Sequence, residues 1–113
     1  MTRSHVTTHV LDTAAGRPAA GVGVSLWGRR GETWTPLGEG TTDADGRVGS
    51  LGPEQLQVGT YRIDFATGDY FAATGTETFF PSVSLTFALA DAAQHYHVPL
   101  LLSPFAYSTY RGS

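Results

Sequence analysis

Apolar and polar residues alternate with period two along much of the chain. Over residues 83–89, Val83, Leu85, Phe87 and Leu89 fall on one side of an extended backbone, with Ser84, Thr86 and Ala88 on the other. That is the pattern of a strand with one buried face. Residues 22–26 repeat it with Val22, Val24 and Leu26, and residues 61–65 with Tyr61, Ile63 and Phe65. Residues 6–10 and 96–100 alternate in the same way, with histidines on the off-beat. Weaker strands are predicted at 33–40, around 47–51 and at 106–110, giving seven or eight in all. Turn residues punctuate them: Gly16 to Pro18, Gly31, Asp43 to Gly46, Gly52-Pro53, Gly59 and Phe80-Pro81. One short helix is predicted over 69–74, with Asp69 as its cap and Gly75 as its stop. The pattern predicts an all-β sandwich.

Composition narrows the picture. At 113 residues and 41% hydrophobic content, the chain is expected to form a single domain over 1–113 whose core needs no disulfide or structural metal. It has no cysteine, which removes thiol nucleophiles, disulfide frameworks and Cys-based zinc sites together. The formal charge is −3, and the seven cationic residues are all arginines, scattered apart from Arg29-Arg30. Nucleic acid is therefore not an expected partner. No apolar run is long enough to span a bilayer, and the opening residues lack the apolar core of a signal peptide. A soluble, cytoplasmic protein with no membrane partner is expected.

Candidate chemistry centres on the histidines His5, His9, His95 and His97. Alternation places the members of each pair on one strand face. If Val6 and Val10 point into the sandwich, His9 points away from it, and if Tyr96, Val98 and Leu100 point in, so does His97. The outward face also carries Leu11, Pro99 and Leu101, which suit a covered face better than open water. His5 and His95 read as partly exposed surface histidines. A His-x-His pair on a strand can present two imidazoles to zinc, yet no motif supplies a third ligand. Asp43, Asp45 and Glu54 have part of a calcium-loop spacing, but Arg47 and Val48 stand where an acidic ligand and a glycine belong. The Asp45-Gly46 pair reads better as a tight turn that starts a strand. No nucleophile elbow or phosphate-binding glycine loop occurs.

Two separated segments carry a family resemblance. His-Val-Leu-Asp at 9–12, Gly16-x-Pro18-Ala19 and Val22-x-Val24 resemble the N-terminal signature of the transthyretin family, and residues 96–105 resemble its C-terminal signature. The final Tyr-Arg-Gly-Ser at 110–113, together with His9, Arg47 and His97, resembles the 5-hydroxyisourate hydrolases of that family, whereas the hormone carriers have Lys, Glu and Thr in place of the last three. Ala106 departs, standing where the family has Gly or Ser. The resemblance implies a transthyretin-like (prealbumin-like) Greek-key β-sandwich of seven to eight strands with one short helix. It also implies edge-to-edge dimers stacked into a homotetramer, a dimer of dimers with a central channel.

The activity implied is hydrolytic opening of the 5-hydroxyisourate ring at a cyclic amide bond. His9 or His97 would take the proton of water while the other donates to the leaving nitrogen or polarises the carbonyl, and the sequence leaves that assignment open. Arg47 would hold the anionic substrate and the developing oxyanion. Tyr110 and Ser113 would wall the pocket, and no metal or organic cofactor is called for. Two other readings are a non-enzymatic small-ligand carrier on the same scaffold and a secreted adhesion or carbohydrate-binding sandwich. His9, Arg47, His97 and the terminal tetrapeptide favour the hydrolase over both.

Overall fold

The computed structural model describes residues 3–112. Strands β1 (Val6–Asp12), β2 (Arg17–Pro18), β7 (Tyr96–Leu102) and β8 (Tyr107–Thr109) form one sheet in the order β2-β1-β7-β8. Strands β3 (Gly23–Arg30), β4 (Thr33–Thr41), β5 (Gly59–Phe65) and β6 (Val83–Leu89) form the other in the order β4-β3-β5-β6, and helix α1 (Thr67–Ala72) lies between β5 and β6. Among these pairs only β1 and β7 run parallel; the others are antiparallel.

The sandwich is held by what the two sheets turn towards each other. Val6, Val10, Leu100 and Leu102 from one sheet and Leu26, Ile63, Phe65 and Val83 from the other are essentially removed from water. Each such side chain contributes on the order of 1.5–3 kcal/mol by burial. Alternation is visible as burial in β1, where Val6, Thr8, Val10 and Asp12 are buried and Thr7, His9 and Leu11 are half-buried on the outer face. In β7, Tyr96, Val98, Leu100 and Leu102 are buried while His97 and Leu101 face outwards half-buried. Pro99 lies on the outer side yet is buried, and its carbonyl accepts a 2.6 Å hydrogen bond from Thr109 Oγ1.

Several sequence expectations need correction. The helix starts earlier than 69, at Thr67, and Asp69 sits inside its first turn; no side chain caps it at Ala66. Burial of Phe71 and Thr67 sets its frame instead, as expected for a helix too short to be stable alone. Gly75 does adopt a left-handed φ of 66° just beyond the helix end. Residues 47–51 form no strand: Arg47 makes a single antiparallel bridge to His9, and Val48 and Leu51 anchor the segment by burial. The two-residue β2 is too short to leave a period in the sequence. Ala106 is accommodated without strain, because no described non-glycine residue has a positive φ.

His5 is the largest correction. It precedes β1 in a bend, so strand alternation does not reach it, and it is 5% exposed rather than on the surface. Its Nδ1 accepts the backbone N–H of Leu56 at 2.8 Å, which leaves the proton on Nε2 to donate to the Gln94 carbonyl at 2.6 Å. His5 is thus a neutral bridge joining the start of β1 to two loops. Substituting His5→Leu strands the buried Leu56 N–H and loses the bond to the Gln94 carbonyl, and should cost about 2–4 kcal/mol. Thermal unfolding should show Tm lowered by at least ~8 °C; an unchanged Tm would return His5 to the surface reading.

Candidate functional site

The register of β1 against β7 builds the site. Thr7 pairs with His97 and His9 with Pro99, so two histidines from segments far apart in sequence lie on one outward face. On the far side of β1 the turn at 43–46 delivers Arg47. Asp43 Oδ1 accepts the backbone N–H of Asp45 at 2.8 Å and of Arg47 at 3.0 Å, and Gly46 closes the turn with φ 77°. The N–H of Val10 then donates to the Gly46 carbonyl at 2.8 Å, placing Arg47 opposite His9. A Cβ at Gly46 would run into the Val10 carbonyl and crowd His9 Cδ2, so only glycine lets the turn close onto the His9 ring. On the other side of β7, the Gly112 N–H donates to the His97 carbonyl at 2.8 Å. Arg47, His9, His97 and Gly112 therefore lie on four adjacent chain segments, with His97 two positions out of register from His9.

A cavity of about 380 Å³ opens on this face, and Arg47, Asp43, His97, His95, Thr7 and Arg3 are among the residues lining it. His9, bridged to Arg47, does not line the cavity itself, and its Nε2 is buried without a hydrogen-bond partner among the described residues. His97 Nδ1 is 2.8 Å from Thr7 Oγ1, which leaves Nε2 as the ring nitrogen available to a ligand. Partial burial pushes the His97 pKa below the ordinary histidine value, and Arg47, His9 and Arg3 push it further the same way. His95 is lowered by burial first and then by Arg3, His97 and His5. The carboxyl of Asp43 is held below the usual carboxylate range by the backbone N–H of Arg47, with Asp45 N–H, Arg47 and His9 adding to it. The arrangement sets the His95 and His97 rings, both biased towards the neutral form, beside a permanent guanidinium charge, which suits proton transfer next to an anion.

The sequence-based assignments fare unevenly. Arg47 and His97 line one cavity, with His9 bridged to Arg47 beside it. Tyr110 does not join them: it is exposed and lines a separate cavity of about 510 Å³ with β6 residues, Tyr96, Val98 and Arg111. Ser113 lies outside the described residues, although its neighbour Gly112 is tied to His97. His95, read as a surface residue, stands in the cavity, and Thr7 and Arg3 enter it unannounced. Thr7 was recoverable from alternation, since it shares the outer face of β1 with His9; Arg3 left no signal. Among the described residues no three His, Cys, Asp or Glu side chains cluster as a metal site, and no helix is long and apolar enough to cross a membrane.

Known proteins share this framework. Residues 6–112 match the model of the HIUase/Transthyretin family. A 5-hydroxyisourate hydrolase of Caulobacter vibrioides is 52% identical over 114 residues, covering 97% of this chain and 99% of its own. The solved 5-hydroxyisourate hydrolase of Klebsiella pneumoniae is 39% identical with a TM-score of 0.83, covering 96% of this chain and 98% of its own. A transthyretin from Sparus aurata is 32% identical with a TM-score of 0.91, each chain covered to 97%. The sandwich is thus common to hydrolases and transthyretins, and the chain belongs to the HIUase/Transthyretin family.

Proposed function

We propose that the chain, acting as one domain in a cytoplasmic setting, hydrolyses 5-hydroxyisourate by opening its six-membered ring at a cyclic amide bond, giving 2-oxo-4-hydroxy-4-carboxy-5-ureidoimidazoline. The observation that carries this reading is the convergence of Arg47 and His97 in one cavity with His9 bridged alongside. Similarity to the Caulobacter hydrolase along nearly the whole of both chains supports it. Water attacks the amide carbon, a neutral imidazole removes its proton, and the oxyanion of the tetrahedral intermediate meets the guanidinium fork of Arg47. A protonated imidazole nitrogen then supplies the leaving ring nitrogen, and the C–N bond breaks.

We further propose a homotetramer built as a dimer of dimers. Leu11 and Leu101 are register partners on the outer face of the β2-β1-β7-β8 sheet, where a second pair of subunits would shield them. Light scattering at micromolar concentration should give the mass of four chains, and Leu101→Asp should abolish assembly and turnover together. A monomeric parent would refute this assembly.

His9→Ala and His97→Ala should each lower kcat by roughly 10²–10⁴-fold, followed as the ultraviolet decay of freshly generated 5-hydroxyisourate against a buffer control. Arg47→Lys keeps the charge and loses the planar fork, so kcat/KM should drop at least ~10-fold, and Arg47→Glu should be nearly inactive. Parental rates in these variants would remove the residues from the site.

The pH profile follows from His97. Its pKa lies below 6.5, so the base form already dominates at neutrality and is lost only as pH falls through that lowered value. The acid limb of kcat/KM should have its midpoint below 6.5, with a plateau above pH 7. A midpoint above 6.5 would exclude His97 as the base.

A further inference from the structure

One hydroxyl joins two imidazoles in the cavity. Thr7 Oγ1 lies 2.8 Å from His97 Nδ1 and 2.9 Å from His95 Nε2. Strand pairing fixes this triangle, because Thr7 and His97 are direct register partners across β1 and β7 and His95 stands just before β7. Nothing assigned so far gives Thr7 or His95 a task. A hydroxyl has a single proton and can accept as well as donate, so it can take a hydrogen bond from one ring while giving one to the other.

We propose that Thr7 and His95 are positioning residues that make a proton wire behind His97, so that His95 holds the proton of the attacking water between the two halves of the hydrolysis. The proposal rests on the hydrolase reading and deepens it by naming His97 as the base. Before attack, His97 Nδ1–H donates to Thr7 Oγ1, Thr7 O–H donates to His95 Nε2, and the lone pair of His97 Nε2 is available to water. Attack transfers the water proton to His97 Nε2 as its hydroxide oxygen bonds the amide carbon and the carbonyl electrons move to the oxygen. The Nδ1 proton of His97 passes to Thr7, and the Thr7 proton passes to His95. His97 is then neutral with its proton on Nε2, and His95 is the imidazolium. On collapse the oxyanion reforms the carbonyl, the C–N bond breaks towards nitrogen, and His97 Nε2–H protonates that nitrogen, while the part left to His9 is to polarise the carbonyl. The two wire protons move back, and both rings return to their starting state.

The charges around the two rings explain the benefit. His97 faces Arg47, His9 and Arg3, whereas His95 faces Arg3, His97 and His5. An imidazolium left on His97 would sit beside the Arg47 guanidinium that holds the oxyanion. Moving that charge to His95 takes it off the ring that Arg47 faces and leaves Arg3 as the main cation beside it. Burial and these cations favour the neutral form of both rings, so each has a free lone pair at rest and readily gives back a proton it has received.

The test uses the isosteric pair Thr7→Val and Thr7→Ser with His95→Leu, each in the full-length assembled protein. Thr7→Val keeps the branched side chain that the strand favours and removes only the hydroxyl. It should lower kcat by about 10- to 100-fold, the range typical of lost supporting hydrogen bonds, with KM within about twofold. Thr7→Ser should recover kcat to within about threefold of the parent. His95→Leu should match Thr7→Val, and the double variant should be no slower than either single, because a wire fails once. Multiplicative losses in the double variant, or a parental kcat in Thr7→Val, would overturn the wire. A second readout needs no substrate. Nitrogen chemical shifts of the two imidazoles should titrate with stronger linkage in the parent than in Thr7→Val, where only their charge repulsion remains, and equal linkage in the two proteins would overturn the wire even if turnover is confirmed. A parent with linked rings and no turnover of 5-hydroxyisourate would overturn the hydrolase reading and the catalytic use of the wire with it.

Discussion

The parallel pairing of β1 with β7 is the constraint on which the molecule turns. It runs over seven consecutive residues, from Val6 opposite Tyr96 to Asp12 opposite Leu102, and joins segments about ninety positions apart. Side-chain periodicity makes a slip of one residue intolerable, since it would drive His97 into the core and Val98 into the cavity. The interior therefore enforces the geometry of the exterior. Burial of Val6, Val10, Leu100 and Leu102 holds Thr7 against His97, and the Val10 N–H reaching Gly46 brings Arg47 opposite His9.

The fold is shared with proteins named as hydrolases and as transthyretins, so the sandwich alone does not specify chemistry. Here the outer face of the β2-β1-β7-β8 sheet combines permanent charge from Arg47 with imidazoles biased towards the neutral form by partial burial, and the Asp43 turn serves as a support for Arg47 more than as a counterion. The Asp43 carboxylate is occupied by backbone N–H groups, which leaves the guanidinium fork available to a ligand.

Legibility in the sequence followed local physics. Strand β6 was readable to the residue because one face is buried, apart from the half-buried Phe87, and the other is wet. Strand β4 was faint because its pairing shifts between Leu26 and Trp27 and its burial never alternates cleanly. His5 was misjudged because it lies in a bend, where its surroundings come from Leu56 and Gln94, distant residues that no pattern near His5 announces. His9, Arg47 and His97 were identified through resemblance, and their meeting depends on the pairing of β1 and β7. Alternation put Thr7 on the outer face beside His9, but its link to His95 left no signal, because that link is a matter of register between strands, not of either strand alone. Tyr110 was grouped with the histidines by motif, yet it sits beyond β8 on the side facing β6.

The strand orders also dictate a sequence of events during synthesis. The β4-β3-β5-β6 sheet is made of four strands that emerge from the ribosome one after another, so it can assemble while the chain is still growing. Strand β1 emerges first but has only the two-residue β2 beside it until β7 arrives. For most of translation it is an apolar ribbon with an unsatisfied edge, open to holdase chaperones or to another nascent copy. The face that carries Thr7, His9 and His97 is consequently among the last surfaces to exist, and mutations that slow β1–β7 closure would reduce the yield of folded protein before they touched any rate constant.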